Sequence, residues 1–291
     1  MIADRYRELV ATRVHRPDAI AEAAARRIPP AAPVGPAGRV LIVAADHPAR
    51  GALATGGRPL AMADRVDLLD RLCTALARPG VTGVLAGADV VEDLLLLGAL
   101  DGKSVFGSMN RGGLAGADWE IDDRFTGYTP DGLVRSGLQG GKMLLRLDYA
   151  DGRTAPVLER CGRAVSLLNA SRLVAMVEPF VSRRTGGVLG NDLSTEAVAR
   201  SAAIASGLGD TSARTWLKLP VVDDMERVAA ASTLPVVLLG GEAAADPGAA
   251  YARWARALAL PTVIGLTAGR SLLYPADDDV EAAVDTAVGL L

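Results

Sequence analysis

The chain has 291 residues, of which 50% are hydrophobic and 22% are charged, and this composition excludes a disordered tail and a fibrous protein. Thirty-four acidic against 31 basic residues give a formal net charge of −3, so no basic surface for nucleic acid or anionic membranes is indicated. The N-terminus MIADRYRELV is charged, and Gly, Asp or Arg interrupts the apolar stretches well before 18 residues. We therefore predict neither a signal peptide nor a transmembrane helix, and we expect a cytoplasmic protein without a membrane or nucleic-acid partner.

Helical periodicity marks residues 2–27, where apolar side chains recur at helical spacing. This segment ends in the proline-rich stretch IPPAAPVGPAG, which predicts a linker. We expect residues 1–38 to form an N-terminal helical extension with its linker, and residues 39–291 to form one domain.

Eight short apolar runs, rich in β-branched residues, follow the linker and alternate with amphipathic stretches. The runs are VLIVAAD (40–46), GVTGVLAG (80–87), KSVFGSM (103–109), KMLLRLD (142–148), RLVAMVEPF (172–180), TWLKLPVV (215–222), LPVVLLGG (234–241) and PTVIGLTAG (261–269). Several amphipathic stretches begin with Ser, Thr or Asp at the expected N-cap. Eight strand–helix units predict an α/β fold, a (β/α)8 TIM barrel. A doubly wound open sheet is the alternative, and it usually has a GxGxxG turn that is missing after the first run.

Lysine is rare in this chain. Only Lys103, Lys142 and Lys218 occur, so 28 of the 31 basic residues are arginines. A composition that favours arginine replaces lysine wherever a positive charge is all that is needed. Each remaining lysine is therefore a candidate for a role that needs a deprotonatable amine, which arginine does not supply.

Lys218 stands in the middle of the sixth run. Strand alternation places Trp216 and Lys218 on one face, and Leu217 and Leu219 on the opposite, helix-packed face. Lysine is almost never buried without a reason. One interpretation is a structural ion pair inside the barrel. The other is a neutral, desolvated amine that attacks a substrate carbonyl to form a Schiff base.

Two carboxylates and a second lysine stand in other runs. Asp46 ends the first run and Glu178 interrupts the fifth, and each by itself is also explained as a cap or loop anchor. Together with Lys218 they form a set that handles the protons of imine chemistry. Lys142 heads the fourth run, where Arg146 shares its face, and a second amine favours the neutral form of the first by like-charge repulsion. Its place at the start of the run also fits a position low in the barrel.

Glycines end the last two runs, at the positions where barrels commonly bind phosphate. Gly240 and Gly241 end the seventh run, Gly269 ends the eighth, and Arg270 comes directly after it. Between these two loops, glycine lets backbone amides approach a phosphate group closely, and arginine adds a bidentate contact. We therefore predict that these four residues bind a substrate phosphate.

Residue types that bind metals are scarce. Only His15 and His47 occur, without an HxH or HExxH pattern, and Cys73 and Cys161 form no CxxC and read as small core residues. We expect neither a metal ion nor a cofactor. An acid-rich Mg²⁺ site is the metal alternative that the sequence leaves open.

From about residue 40 to the C-terminus, these motifs resemble the class I, Schiff-base-forming aldolases of the deoxyribose-phosphate and tagatose-bisphosphate aldolase superfamily. ADHPARGAL resembles the first-strand segment, which implies that Asp46 is the active-site acid. KMLLRLDYAD resembles the fourth strand of the tagatose-bisphosphate type and implies that Lys142 is the second lysine of the site. MVEPF resembles the fifth-strand glutamate, Glu178, and WLKLPV resembles the segment with the imine-forming lysine, Lys218. LLGGE and TAGRSLLYP resemble the two phosphate loops.

The resemblance implies a metal-independent aldolase that cleaves or forms a carbon–carbon bond in a phosphorylated keto-sugar or keto-acid and releases dihydroxyacetone phosphate. The chain is also similar to an actinobacterial group linked with inositol degradation. That similarity implies cleavage of a phosphorylated 2-deoxy-5-keto-gluconate into dihydroxyacetone phosphate and malonate semialdehyde. The alternatives are a ketose-bisphosphate or sulfo-sugar phosphate aldolase of the same superfamily and a non-catalytic phospho-sugar-binding barrel. We expect a homo-oligomer.

The far end of the substrate has several candidate contacts. Arg111 after the third run, and Arg183 and Arg184 after the fifth, are candidates for holding a carboxylate or sulfonate, although surface solvation is the commoner role of such arginines. Residues 110–129 form a long stretch without periodicity, which predicts either an active-site lid or a surface insertion.

Overall fold

The structure, a computed structural model, describes residues 2–35, 37–241 and 247–291. Residue 36 of the predicted linker and residues 242–246 after the seventh run lie outside these ranges. Among the helices described, none is long and apolar enough to cross a membrane.

Nine strands are described, and eight of them form a closed parallel barrel. They are β1 (Val40–Ala45), β2 (Gly83–Ala86), β3 (Ser104–Ser108), β4 (Gly140–Leu147), β5 (Val174–Thr185), β6 (Val188–Asn191), β7 (Thr215–Leu219), β8 (Val236–Leu239) and β9 (Val263–Ala268). Each barrel strand pairs with the next, and β9 pairs with β1, where Thr267 lies beside Ile42. β6 is the exception, since it pairs antiparallel with the end of β5 and forms a hairpin. The closed ring confirms the predicted (β/α)8 barrel and excludes the open sheet.

Helices alternate with the strands. They are α1 (Ile2–His15), α2 (Ala19–Arg26), α3 (Arg65–Ala77), α4 (Ala88–Leu96), α5 (Pro130–Arg135), α6 (Thr154–Ala170), α7 (Thr195–Ser206), α8 (Met225–Ala229), α9 (Pro247–Leu258), α10 (Arg270–Leu273) and α11 (Val280–Val288). The side chains of Asp64, Ser194 and Asp279 cap α3, α7 and α11 by accepting hydrogen bonds from backbone N–H groups. The capping residues expected from the sequence are therefore present.

The N-terminal segment is two helices rather than one, because Pro17 stands between α1 and α2. α1 packs against α3, and α2 packs against α4. Arg27, just after α2, is buried, and its guanidinium donates a 2.8 Å hydrogen bond to the carbonyl oxygen of Lys103, the residue before β3. The extension is thus attached to the barrel near the N-terminal end of a strand. The domain boundary at residue 38 stays a prediction.

The barrel strands separate two apolar layers. The inner layer includes Ile42, Phe106, Met176 and Trp216, and the rings of Phe106 and Trp216 lie 5.6 Å apart. Alternate residues of the same strands pack outward against the helices. This arrangement fills the lower part of the barrel with hydrocarbon, so the charged inward residues near the C-terminal strand ends stand on an apolar floor.

Candidate active site

A cavity of about 450 Å³ opens at the C-terminal ends of the barrel strands. It is lined by all eight site residues predicted from the sequence, namely Asp46, Lys142, Glu178, Lys218, Gly240, Gly241, Gly269 and Arg270. On β7 the inward face changes from the aromatic ring of Trp216 to the amine of Lys218 in one step of strand alternation. Residues that are far apart in the sequence therefore meet in one pocket.

Asp46 lies directly after β1 and is only 2% exposed. Its Oδ2 atom accepts hydrogen bonds from Lys142 Nζ at 3.1 Å, from Ser108 Oγ at 3.2 Å and from the Arg111 guanidinium. Burial alone would raise the pKa of this carboxyl, but Arg111, Lys142 and Lys218 lower it well below its ordinary value. Asp46 is therefore an ionised carboxylate that holds two cations in place.

Glu178 lies between the two lysines. Its Oε1 atom is 2.9 Å from Lys218 Nζ, and its Oε2 atom contacts Lys142 Nζ. Burial would raise the pKa of Glu178, but Lys142 and then Lys218 lower it below its ordinary value. The carboxylate is thus ionised and within hydrogen-bond reach of both amines, which is the geometry that proton exchange between them requires.

Lys142 reaches the site although it stands near the start of its strand. β4 begins at Gly140, so Lys142 is its third residue, and the extended side chain contacts both Asp46 and Glu178. The side chain is fully buried, with 1% of the residue exposed. Burial, followed by the nearby Arg111, lowers the pKa of Lys142 to about 8. This amine therefore exchanges its proton close to neutral pH.

Lys218 has features of both a structural ion pair and a reactive amine, the two roles that the sequence leaves open. It forms an ion pair with Glu178, as a structural lysine would, and it is 3% exposed. It also lines the open cavity. Within the described part of the chain, Glu178 is the one acid at ion-pair distance from Lys218, whereas Lys142 has two. The amine of Lys218 is thus less encumbered than that of Lys142.

His47 adjoins this cluster and was not among the predicted site residues. Its Nδ1 atom is 3.8 Å from Asp46 Oδ1, and burial lowers the pKa of the imidazole to about 3. The ring is therefore uncharged at neutral pH. Nowhere in the described residues do three or more His, Cys, Asp or Glu side chains gather as a metal site would require.

The glycines after β8 and β9 occupy positions where a side chain does not fit or is strained. A Cβ atom on Gly240 would lie 2.7 Å from the Cβ of Ala268, and one on Gly269 would overlap a backbone carbonyl of β1. Gly241 has a φ of +66°, in the left-handed region, with open space around it. Packing thus explains Gly240 and Gly269, while Gly241 and Arg270 face the cavity from the same two loops.

The three arginines considered for the far end of the substrate have different surroundings. Arg111 is 6% exposed and donates to Asp46 and, at 2.6 Å, to Ser108 Oγ, so surface solvation is excluded for it. Arg183 is exposed, and Arg184 donates to the carbonyl oxygen of Gly187 in the β5–β6 hairpin. Of the three, Arg111 alone lines the cavity.

Arg50 and Glu120 also line the cavity, and the sequence did not predict either of them. Arg50 Nη2 lies 2.8 Å from Glu120 Oε1, and the Arg146 guanidinium contacts the same oxygen. Arg146 also donates a 2.8 Å hydrogen bond to the main-chain carbonyl of Glu120. The stretch 110–129 thus contributes Arg111 and Glu120 to the wall of the cavity. Arg146 shares the inward face of β4 with Lys142, but no periodicity marks Arg50 or Glu120, which lie outside the strands.

The comparison with protein families matches residues 38–288 to the model described as Cgl0159-like. The chain belongs to the Cgl0159-like family. The crystal structure of Cgl0159 from Corynebacterium glutamicum is 51% identical over 99% of this chain and 96% of that chain, with a TM-score of 0.96. A comparison with curated proteins found no match.

The barrel is also similar to archaeal aldolases. An archaeal fructose 1,6-bisphosphate aldolase matches with a TM-score of 0.70 and 18% identity over 93% of this chain and 98% of that chain. Another archaeal fructose-1,6-bisphosphate aldolase has its catalytic Lys covalently bound to the carbinolamine intermediate. It matches with a TM-score of 0.65 and 18% identity over the same shares of the two chains. At 18% identity, these similarities show a shared fold alone.

Proposed function

We propose that this member of the Cgl0159-like family is a metal-independent class I aldolase that acts on a phosphorylated keto-sugar or keto-acid. The observation that carries the proposal is the amine of Lys218, which lies on an open cavity with Glu178 at 2.9 Å and a second amine, Lys142, on the other oxygen of that carboxylate. Two amines that share one carboxylate supply both a nucleophile and a route for its proton. The barrel fold that the protein shares with Schiff-base-forming aldolases supports the same reaction class.

In the first step, Glu178 takes a proton from the Lys218 ammonium, and the neutral amine attacks the ketone carbon of the substrate. The carbonyl electron pair moves to oxygen, which accepts a proton, and the attacking nitrogen loses one of its two protons, which gives a carbinolamine. Lys142, with its pKa of about 8, donates the proton to oxygen and takes up the proton from nitrogen, so Glu178 keeps the proton that it took from Lys218. A second proton transfer from Glu178 to the hydroxyl releases water and leaves an iminium ion on Lys218.

In the second step, the carbon–carbon bond breaks. Glu178, now ionised again, removes the proton from the substrate hydroxyl next to the bond, and the O–H electron pair forms the aldehyde carbonyl. The bonding pair of the broken bond moves towards the iminium nitrogen, which becomes an enamine. Protonation of the enamine carbon and hydrolysis then release the ketone product and regenerate Lys218. Asp46 holds Lys142 and Arg111 around the reacting atoms throughout.

The substrate phosphate is proposed to bind at the two loops after β8 and β9, through Gly240, Gly241, Gly269 and Arg270. All four line the cavity that holds Lys218. A phosphate fixed at these loops positions the ketone carbon against the amine, so that binding energy contributes to orientation. The released ketone is then dihydroxyacetone phosphate.

The motif resemblance supports a finer proposal. Within the deoxyribose-phosphate and tagatose-bisphosphate aldolase superfamily, similarity to the inositol-linked group favours a phosphorylated 2-deoxy-5-keto-gluconate as the substrate and malonate semialdehyde as the aldehyde product. Ketose-bisphosphate and sulfo-sugar phosphate aldolases are the alternatives within the same reaction class. A homo-oligomer with a small phosphorylated substrate, and without metal or cofactor, stays a prediction.

Borohydride trapping tests the reaction class. The protein is incubated with dihydroxyacetone phosphate, reduced with borohydride and analysed by intact mass and peptide mapping, and we expect a stable adduct on the peptide that contains Lys218. Lys218→Met abolishes the adduct. Lys103→Met is the matched control, because Lys103 donates to the carbonyl of Val81 and does not line the cavity.

Other outcomes of the same experiment overturn parts of the proposal. An adduct on Lys142 instead of Lys218 reverses the roles of the two lysines. Binding of dihydroxyacetone phosphate without any adduct indicates a non-catalytic phospho-sugar-binding barrel. Turnover that EDTA abolishes, again without an adduct, indicates a metal-dependent enzyme.

A further inference from the structure

The cavity carries an excess of positive charge. Among the described residues that line it, six are cationic and three are carboxylates; they are Arg50, Arg111, Lys142, Arg146, Lys218 and Arg270 against Asp46, Glu120 and Glu178. His47 is uncharged at neutral pH. Asp46 and Glu178 are occupied by the lysines and Arg111, so among the described lining residues Glu120 is the one carboxylate left for the wall formed by Arg50 and Arg146. A cavity lined predominantly by one sign of charge attracts ligands of the opposite sign.

Arg146 lies across the barrel mouth from the proposed phosphate loops, and Arg50, which comes from the segment after β1, contacts the same Glu120 oxygen as Arg146. In the closed strand order, β4 is four strands away from β9 in either direction, so the two strands face each other. Arg146 stands on β4 four residues after Lys142, which places it about 13 Å further along the strand at about 3.3 Å per residue. Arg270 begins α10, two residues after the end of β9. Arg146 and Arg270 therefore stand on opposite sides of the cavity.

The two guanidinium groups of this wall share too few acceptors. Both contact the same oxygen of Glu120, and the Nε atoms of Arg50 and Arg146 are buried without a hydrogen-bond acceptor among the described residues. Burial, followed by the neighbouring Arg146 and Arg111, lowers the pKa of Arg50 to about 10. Asp123 lies nearby, but its carboxylate accepts the Gly113 N–H at 2.9 Å, and burial raises its pKa. A buried donor without an acceptor is unfavourable unless a bound ligand supplies the acceptor.

We propose that Arg50 and Arg146 bind a second anionic group of the substrate, a terminal carboxylate or phosphate, at the end opposite to the phosphate held near Arg270. Glu120 positions the two guanidinium groups through its shared oxygen, and arginine forks match the oxygens of carboxylates and phosphates. The inference rests on the proposed function for the site of the first phosphate. It limits the substrate to chains with an anion at each end.

Three six-carbon ligands without a ketone test this inference by equilibrium titration calorimetry. They are sorbitol 6-phosphate, 6-phosphogluconate and sorbitol 1,6-bisphosphate. At carbon 1 the first carries a hydroxymethyl group, the second a carboxylate and the third a phosphate ester. We expect the wild-type protein to bind one or both of the doubly anionic ligands about 10-fold or more tightly than sorbitol 6-phosphate. The ligand with the larger gain identifies the second group as carboxylate or phosphate.

Variants locate the preference. Arg146→Met and Arg50→Met each reduce the preference for doubly anionic ligands to about 3-fold or less. Arg183 is an exposed arginine beside the same barrel mouth, and Arg183→Met retains the preference. Two independent variants of the wall keep the test valid where one of them does not fold. Equal binding of all three ligands by the wild type, a preference that survives in both wall variants, or an equal loss in Arg183→Met overturns the inference.

The titration is independent of the aldolase proposal, because none of the three ligands has a ketone that forms an imine with Lys218. A borohydride adduct without a preference for two anions refutes only the second-anion subsite. A preference without an adduct refutes the aldolase and leaves a cavity that binds doubly anionic sugars.

Discussion

Lys142 links the folding stability of the protein to pH. Burial and the neighbouring Arg111 lower its pKa from 10.5 to about 8 in the folded state. Between about pH 8 and 10.5 the unfolded chain therefore holds a proton on this amine that the folded protein has released, and the contribution of Lys142 to the free energy of unfolding rises with pH. At about 1.4 kcal/mol per pH unit, the lowering corresponds to a gain of about 3 kcal/mol across this window.

The measurement compares wild type with Lys142→Met by urea unfolding, followed by circular dichroism, from about pH 7 to about pH 10.5. The variant is expected to fold, because Asp46 keeps Arg111 and Ser108 as partners and Glu178 keeps Lys218. The difference in unfolding free energy between the two proteins should shift by about 3 kcal/mol in favour of wild type as pH rises. Groups that titrate in both proteins, such as the thiols, cancel in that difference. A difference that stays constant within about 0.5 kcal/mol refutes the reasoning.

Three further predictions concern the reaction, the phosphate and the backbone. Glu178→Gln should lower kcat for condensation of dihydroxyacetone phosphate with aldehydes by about 10²- to 10⁴-fold, and a loss below about 10-fold contradicts its role in proton transfer. Arg270→Met should weaken binding of sorbitol 6-phosphate by about 10-fold in calorimetry, and unchanged affinity refutes the phosphate contact. Gly269→Ala should lower stability by about 1–3 kcal/mol, because its Cβ would overlap the carbonyl oxygen of Ala44. Gly152→Ala, where a Cβ meets nothing within 4 Å, is the matched control, and equal unfolding midpoints for both variants contradict the steric explanation.

The barrel was predictable because its strands are apolar on both faces. Each inward residue fills the barrel and each outward residue packs on a helix, so a strand reads as a short continuous apolar run. Lys218 and Glu178 stand out against that background, since each interrupts such a run, and the structure places both on the cavity. The β5–β6 hairpin was not predicted, because its residues other than buried Ser182 are half-buried or exposed and form no apolar run.

Two features of the site were beyond sequence reasoning for different reasons. The start of β4 is occupied by Gly140 and Gly141, which carry no apolar side chain, so the apolar pattern alone made Lys142 look like the first residue of the strand. Arg50 follows β1 and Glu120 follows β3, and they meet because both segments turn over the barrel mouth. Neither hydrophobic periodicity nor local propensity encodes such a contact between loops.

The order of charges across the site explains how two lysines take different roles in the proposed reaction. Asp46, Lys142, Glu178 and Lys218 form a row in which acids and bases alternate, and each contacts the next. A proton that moves from Lys218 to Glu178 creates the neutral nucleophile without changing the net charge of the buried row, so it avoids the penalty of an uncompensated buried charge. Lys142 is held at the centre of this row by two carboxylates and serves as the proton donor next to Glu178. Lys218 lies at the end of the row, on the cavity, where its amine has room for a substrate carbon.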